Sequence, residues 1–352
     1  MRFTKDFLIL PVVGLCLALS GCLSTKPETH VVEEQGRGTW RTTFDKRMPT
    51  SAEQWEYARE TQNKGWLKKA DRRMLYLVRR WPNSQEAPWA QRARADMLYS
   101  RGKLKVASKE YQYLIDNYSS RMGDYDSVLE SQFEIAVDVM NRRRIRWVFG
   151  GYRAPEYAVD YFEDVIRNGP QWSRAPEAQF LIGKCHQDAK ELELAISAYG
   201  VLGYRYPDSP FAEEGAWQQI VCLDKLRKKY PNSLEILDRT LTATTVFLTT
   251  YPTSENKDKI IQLRNKLYEV KAKKVFDEAA FYAKVPKKPE AAIIYYEQMI
   301  EEYPKSKLVP EARKCIAEIK GLMVRAPLAG SAAPSPEPVP LVVEKEPGNA
   351  EE

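Results

Sequence analysis

A short phrase that ends one helix and begins the next recurs along this chain. It consists of an aromatic residue, a proline, any residue and a serine, and it occurs five times. Proline lacks the amide hydrogen that continues a helix and collides with the preceding turn, whereas serine accepts the free amides at the start of a following helix. The phrase therefore predicts helix–turn–helix joints at Trp81–Ser84, Tyr206–Ser209, Tyr230–Ser233, Tyr251–Ser254 and Tyr303–Ser306.

A small residue and a large residue precede the joints at constant distances. Alanine lies twelve positions upstream of a proline in four places, and a large apolar residue lies eight positions upstream. A small side chain lets two helices approach closely, and the large one fills the groove beside it. A fifth pair keeps this register before Ser119. The pairs are Ala70 and Met74, Ala107 and Tyr111, Ala158 and Phe162, Ala195 and Tyr199, and Ala292 and Tyr296.

These offsets, with Gly183 and with Ala58 and Ala95 in equivalent places, resemble the tetratricopeptide repeat. The resemblance implies an all-α solenoid of about six helix pairs, closed by a capping helix near residues 308–324. One pair departs from the pattern, because Thr240 and Thr244 stand where alanine and an aromatic residue are expected. Residues 255–285 then read as one long helix.

The N-terminus has the pattern of an export signal. Basic residues precede an apolar stretch from Phe7 to Leu19 that is too short to span a bilayer and that runs into Leu-Ser-Gly-Cys. This ending resembles the bacterial lipobox, which implies acylation of Cys22 and cleavage before it. Leu23 follows the cysteine where lipoproteins retained in the inner membrane of some bacteria carry Asp. We therefore expect the periplasmic face of the outer membrane; an ordinary secreted protein with a chance cysteine is the alternative.

Composition divides the rest of the chain into further segments. A polar stretch follows Cys22, and the last residues are rich in proline, so neither segment has much to bury. We expect a signal peptide at 1–21, a lipidated cysteine and flexible tether at 22–50, N-terminal repeats at 51–208, C-terminal repeats and a cap at 209–324, and a disordered tail at 325–352.

Several function classes lack the residues that they need. Only two histidines are present, and Cys185, Cys222 and Cys315 are far apart, so neither a zinc site nor a cysteine–histidine nucleophile is expected. There is no glycine-rich phosphate loop, and a net charge of +6 with mixed signs is far from a nucleic-acid-binding face. We predict no enzyme, no cofactor, no metal, no nucleic acid and no small-molecule substrate. His186 stands at a usually aromatic position and is predicted to pack in the core.

The combination of a lipobox, a tether and repeats ending in Tyr-Pro-x-Ser resembles the BamD family of lipoproteins, which serve the outer-membrane β-barrel assembly machine. The likeness is best over residues 234–320, including 247–254 and 294–304. It implies C-terminal repeats that bind the barrel-assembly outer-membrane protein and N-terminal repeats that face its unfolded clients. The chain departs from the family by about one additional repeat and by the proline-rich tail.

An insertion interrupts the third repeat between Asn141 and Pro155. Arginine and aromatic residues, which are enriched at binding hot spots, concentrate there and make it a candidate contact loop. The alternative is an amphipathic helix end, with its aromatic residues packed inward and its arginines solvated. With Tyr295 from the BamD-like stretch, the candidate partner contacts are Arg143, Arg146, Trp147, Phe149, Tyr152 and Tyr295.

Two other functions remain open at this point. A scaffold for Tol-Pal or peptidoglycan machinery shares the Tyr-Pro-x-Ser phrase, although such repeat proteins usually carry an N-terminal coiled coil and no lipobox. An enzyme or transporter accessory would need a cluster of acids and histidines in one groove, which the sequence does not offer. We predict a lipid-anchored, protein-binding scaffold.

Overall fold

The computed structural model describes residues 46–144, 152–284 and 289–325. These residues form thirteen α-helices, together with a two-strand ladder and a 3₁₀ turn at Pro155–Ala158. The helices are Ser51–Asn63 (α1), Leu67–Arg80 (α2), Glu86–Ser100 (α3), Leu104–Tyr118 (α4), Tyr125–Asn141 (α5), Val159–Asn168 (α6), Ala175–Asp188 (α7), Leu192–Arg205 (α8), Ala212–Lys229 (α9), Leu234–Thr250 (α10), Lys257–Lys284 (α11), Pro289–Glu302 (α12) and Val309–Arg325 (α13).

Each helix packs mainly against its neighbours in the chain, which gives six helix pairs and a closing helix. The predicted all-α fold of tetratricopeptide type is thereby confirmed. The chain divides into two compact units, Met1–Gly123 and Asp124–Glu352, here called the first unit and the second unit. Across the described ranges, each helix is too short or too polar to cross a membrane.

The alternating small and large residues form the core, as predicted. All five pairs are buried, and the alanines of the pairs are completely inaccessible to solvent. In α10 the two threonines occupy the same positions and are also fully buried. Thr240 donates its hydroxyl hydrogen to the carbonyl of Ile236 at 2.6 Å, and Thr244 donates to Leu241 at 2.7 Å. Bonds within the helix thus satisfy the hydroxyls, which is why polar residues are tolerated there.

The recurring phrase closes a turn in every copy. The serine amide donates to the carbonyl of the aromatic residue three positions earlier, over 3.0 to 3.2 Å, at all five joints. Proline therefore occupies the second position of a four-residue β-turn, where its fixed φ is already suitable. The predicted joints are confirmed at all five sites.

The predicted role of the serine hydroxyl is correct at only one joint. Ser233 is the N-cap of α10 and accepts from the amide of Ile236 at 3.3 Å. At Ser209, Ser254 and Ser306 the hydroxyl accepts from the amide two positions on, because those helices begin three residues after the serine. The hydroxyl of Ser84 is buried and forms no hydrogen bond within the described chain.

A buried ionic network links α2, α3 and α4 in the first unit. The side chain of Arg94 is 8% exposed; its Nε donates to Asp71 Oδ1 at 2.7 Å, and its guanidinium also pairs with Glu110. Gln91 donates its amide to Glu110 Oε2 at 2.8 Å and to the Glu110 carbonyl at 2.9 Å. One arginine on α3 thus neutralises a carboxylate from each flanking helix.

Candidate partner-binding surfaces

The insertion in the third repeat begins and ends in a short antiparallel ladder. α5 stops at Asn141, and Arg142 is already extended, so the helix does not continue into the described start of the insertion. Arg143 pairs with Arg153, and Arg144 pairs with Tyr152, in register. The side chain of Arg143 is exposed, while Arg146, Trp147 and Phe149 lie outside the described residues. The structure brings Arg143 and Tyr152 to neighbouring rungs of one ladder.

An aromatic patch lies where α11 ends and α12 begins. We define the C-terminal patch as Phe281, Tyr282, Ile294 and Tyr295. Tyr295, predicted as a contact, stacks on Tyr282 with ring centroids 4.7 Å apart and an interplanar angle of 3°. Phe281 is 64% exposed and packs edge-on against Tyr282 at 5.7 Å, and Ile294 is 63% exposed. A hydrogen bond with Tyr282 raises the pKa of Tyr295.

A packed cluster supports this patch from beneath. Tyr282 and Tyr295 contact a core built on Ala279, Ala292 and Tyr296, to which α13 contributes Ala312. Phe276 packs edge-on against Tyr296 with centroids 5.2 Å apart. Because these neighbours are buried, the two stacked tyrosines are held in one arrangement before any partner arrives. Such preorganised aromatic side chains lose little conformational entropy on binding.

A groove of about 970 Å³ runs between α8 and α10, with α9 as its floor. Gly200 and Gly203 form part of the α8 wall, and a Cβ atom at Gly203 would meet no atom within 4 Å. Val246 on the α10 wall is 56% exposed. At one end Arg239 spans the helices, donating to both carboxylate oxygens of Glu193 at 3.0 and 3.3 Å. The groove is thus bounded at one end by an ion pair between its two walls.

A second groove of about 650 Å³ lies between α6 and α8, with α7 beneath it. Leu194 and Val201 of α8 are exposed on its wall. His186 also lines this groove: its side chain is 14% exposed, and its Nδ1 lies 2.8 Å from Glu191 Oε2. The prediction of a packed core histidine is thus only partly correct, since the ring is mostly covered but has a carboxylate partner.

The two buried cysteine thiols of the second unit, those of Cys185 and Cys222, are unsuited to nucleophilic chemistry. Burial raises the pKa of Cys185 to about 12 and that of Cys222 to about 11. Both thiols therefore stay protonated at neutral pH, whereas the thiolate is the reactive form. In the described part of the chain, His, Cys, Asp and Glu form no group of three that would hold a metal ion.

Residues 173–329 match the family model described as YfiO, an outer membrane lipoprotein. The match begins just before α7 and extends beyond α13. It therefore includes α8, which lines both grooves, and the C-terminal patch. The resemblance to the BamD family predicted from the sequence is confirmed over this range. Proteins of this kind are scaffolds built from tetratricopeptide repeats.

Two solved structures match this chain at low sequence identity. A tetratricopeptide repeat protein from Parabacteroides merdae is 12% identical and covers 77% of this chain and 98% of its own, with a TM-score of 0.29. The TPR2AB domain of yeast Sti1, solved in a complex with pHSP90, is 11% identical over the same shares, with a TM-score of 0.24. A search of curated proteins found no match.

Proposed function

We propose that this chain is a membrane-anchored periplasmic scaffold of outer-membrane β-barrel protein assembly. The observation that carries the proposal is the match of residues 173–329 to an outer-membrane lipoprotein family, over the helices that present the C-terminal patch. The anchor would be an acylated Cys22, which sets the location at the periplasmic face of the outer membrane. Several buried acyl chains hold a protein on a bilayer durably.

The C-terminal patch is proposed to bind the barrel-assembly outer-membrane protein. Large aromatic side chains at the centre of an interface carry most of its binding energy. The patch offers three of them, two locked by stacking and one largely exposed, at the end of the repeat array. Its support by the core of α11, α12 and α13 makes it a rigid surface.

The groove between α8 and α10 is proposed to hold a segment of a client chain. Its α8 wall is lowered by two glycines, which lets a partner backbone approach the helix closely. A glycine inside a helix lowers stability by roughly 0.5–1 kcal/mol relative to alanine. A Cβ atom at Gly203 would meet no atom of this chain, so packing within the chain does not explain why this position lacks a side chain. The ladder that carries Arg143 and Tyr152 remains a candidate contact for the same clients.

The double variant Tyr282→Ala/Tyr295→Ala is expected to weaken capture of the partner subunit by roughly 30-fold, or about 2 kcal/mol. The substitutions remove the stacked pair, and with it the rigid apolar area on which a partner would pack. The measurement is affinity purification of the tagged full chain from crosslinked envelopes, followed by quantitative mass spectrometry.

The matched control is Tyr204→Ala/Tyr230→Ala, which removes two tyrosines that are 88% and 48% exposed elsewhere in the second unit. Phe281→Ala changes an exposed ring and tests the same patch without disturbing the core beneath it. Recovery of only Tol-Pal or peptidoglycan-associated proteins with the unaltered chain would replace this proposal with the cell-wall alternative. Equal loss in the control variant would show that the patch is not the contact.

A further inference from the structure

The first unit carries the positive charge of this protein. Residues 46–123 contain 17 lysines and arginines but only eight aspartates and glutamates. The other residues of the chain contain 37 lysines and arginines and 40 aspartates and glutamates. The net charge of +6 therefore arises entirely within the first unit. A charge imbalance of this size on one compact unit attracts an anionic partner.

The cations concentrate on the outer face of α2. Since an α-helix has 3.6 residues per turn, five of them fall within about 120° of its circumference. Every one of the five is exposed, and the opposite face, with Met74 and Leu77, is buried in the core. We call this the α2 basic face; its cations are Lys68, Lys69, Arg72, Arg79 and Arg80.

Three acidic residues of α1 and α2 form ion pairs away from this face. The one carboxylate on α2, Asp71, is mostly buried and pairs with Arg94 on α3. Glu56 and Glu60 pair with cations of their own segment, Arg59 and Lys64. These three carboxylates therefore pair with cations outside the α2 basic face.

Aromatic rings are interleaved with these cations. Trp66, which is 53% exposed, lies under the ammonium of Lys69 at 4.5 Å from its ring centroid. The guanidinium of Arg80 lies over Trp81 at 5.7 Å, and Tyr76 packs edge-on against the same ring at 5.8 Å. Tryptophan and tyrosine beside lysine and arginine are the residues that occupy the headgroup level of a bilayer.

We propose that the α2 basic face docks the first unit on a bilayer surface rich in anionic phospholipid. Clusters of four to eight cations bind anionic lipid, each contributing a factor of about five in affinity. The apolar side of α2 is occupied by the protein core, so the contact is with headgroups and involves no insertion. This inference does not depend on which partner binds the C-terminal patch.

The position of the predicted anchor is consistent with a membrane as the occupant. Residues 23–50 separate Cys22 from the start of α1 and span at most about 100 Å when fully extended. An acylated Cys22 would thus confine the α2 basic face to the neighbourhood of the bilayer. An acyl anchor and a basic patch are the two signals that together give stable attachment.

The test is sedimentation of residues 22–352, with Cys22→Ser so that no acyl chain contributes, with phosphatidylcholine vesicles that contain about one-third phosphatidylglycerol. We expect binding that fades as salt rises from about 50 to about 300 mM, since exposed charges are screened. The variant Lys68→Gln/Lys69→Gln/Arg72→Gln should bind on the order of 100-fold more weakly.

The matched control is Lys259→Gln/Lys266→Gln/Lys273→Gln, which removes the same charge from exposed positions at seven-residue intervals on α11. It should retain most of the binding, and thermal melting should show that both variants fold. Equal sedimentation with vesicles of phosphatidylcholine alone would overturn the proposal, as would equal loss in the control. Binding to polyglutamate but not to the vesicles would also overturn it, and would assign the face to an acidic protein.

Discussion

Replacing Tyr199 by alanine is expected to destabilise the second unit by about 3–5 kcal/mol. Tyr199 is 2% exposed and lies in a core cluster with Ala195, Cys222 and Leu223, between α7 and α9. Its hydroxyl donates to Gln187 Oε1 at 2.9 Å. Alanine would leave a cavity beneath the groove between α8 and α10 and would remove this bond. The measurement is the thermal midpoint, which should fall on the order of 10 °C.

Gly183 lies against the Tyr199 ring and provides a test of this packing. A Cβ atom at Gly183 would lie 2.5 Å from the Tyr199 ring, so Gly183→Ala should itself cost about 1–3 kcal/mol. Combined with Tyr199→Leu, the alanine should cost much less, because the ring that it meets is gone. The control is Gly203→Ala, which meets no atom and should stabilise α8 slightly. Additive losses for the first two changes would contradict the described contact.

Replacing Arg94 by methionine is expected to cost the first unit about 3–5 kcal/mol. Methionine keeps much of the side-chain volume, so the loss comes from the carboxylates of Asp71 and Glu110, which would remain largely buried without their cation. The free energy of unfolding of a unit of this size is small, so the first unit should be unfolded in a large fraction of the molecules. Urea unfolding followed by tryptophan fluorescence measures the change.

A compensating variant separates charge from packing in this network. Adding Asp71→Asn and Glu110→Gln to Arg94→Met removes all three charges and should restore a substantial part of the lost stability. The matched control is Arg121→Met, which removes an arginine of the same unit that is exposed and bonds only to turn carbonyls and a neighbouring ring. A cost as large in the control as in Arg94→Met would contradict the importance of the buried network.

The fold follows from the sequence because its signals are local and repeated. The proline turns at five joints and the constant spacing of an alanine and a large apolar residue define which residues meet, without any knowledge of distant contacts. The long helix read at 255–285 is observed as α11, Lys257–Lys284, and the closing helix read at 308–324 is observed as α13. Thr50 caps α1 by accepting from the amide of Glu53, and a threonine followed three positions later by a glutamate is a local signal for a helix start.

The sequence does not predict details that depend on three-dimensional packing. Lys190 adopts φ 65, at the position where Gly65 and Gly102 precede α2 and α4, and its identity gives no hint of this conformation. Trp66 and Trp89 are exposed, and their sequence positions do not mark them as surface rings. Helical spacing alone does not distinguish an inward ring from one that covers a surface cation.

The sequence predicts only part of the candidate surfaces. Tyr295 was identified from a resemblance, but its stacking on Tyr282 depends on the antiparallel approach of α11 and α12. Neither groove has a motif, since each is formed by single residues scattered over three successive helices. The α2 basic face has a sequence signal, a helix with five outward cations, which becomes informative once the charges of the two units are counted separately.

The most direct test of the scaffold proposal places a photo-crosslinking amino acid at Phe281 of the full-length chain, in living cells. The ring is exposed beside the stacked tyrosines, so a bound partner would lie within reach. We expect a crosslink to the barrel-assembly outer-membrane protein from this position and none from the exposed control position Tyr204. Crosslinks only to Tol-Pal or peptidoglycan-associated proteins, or the same products from both positions, would contradict the proposed function.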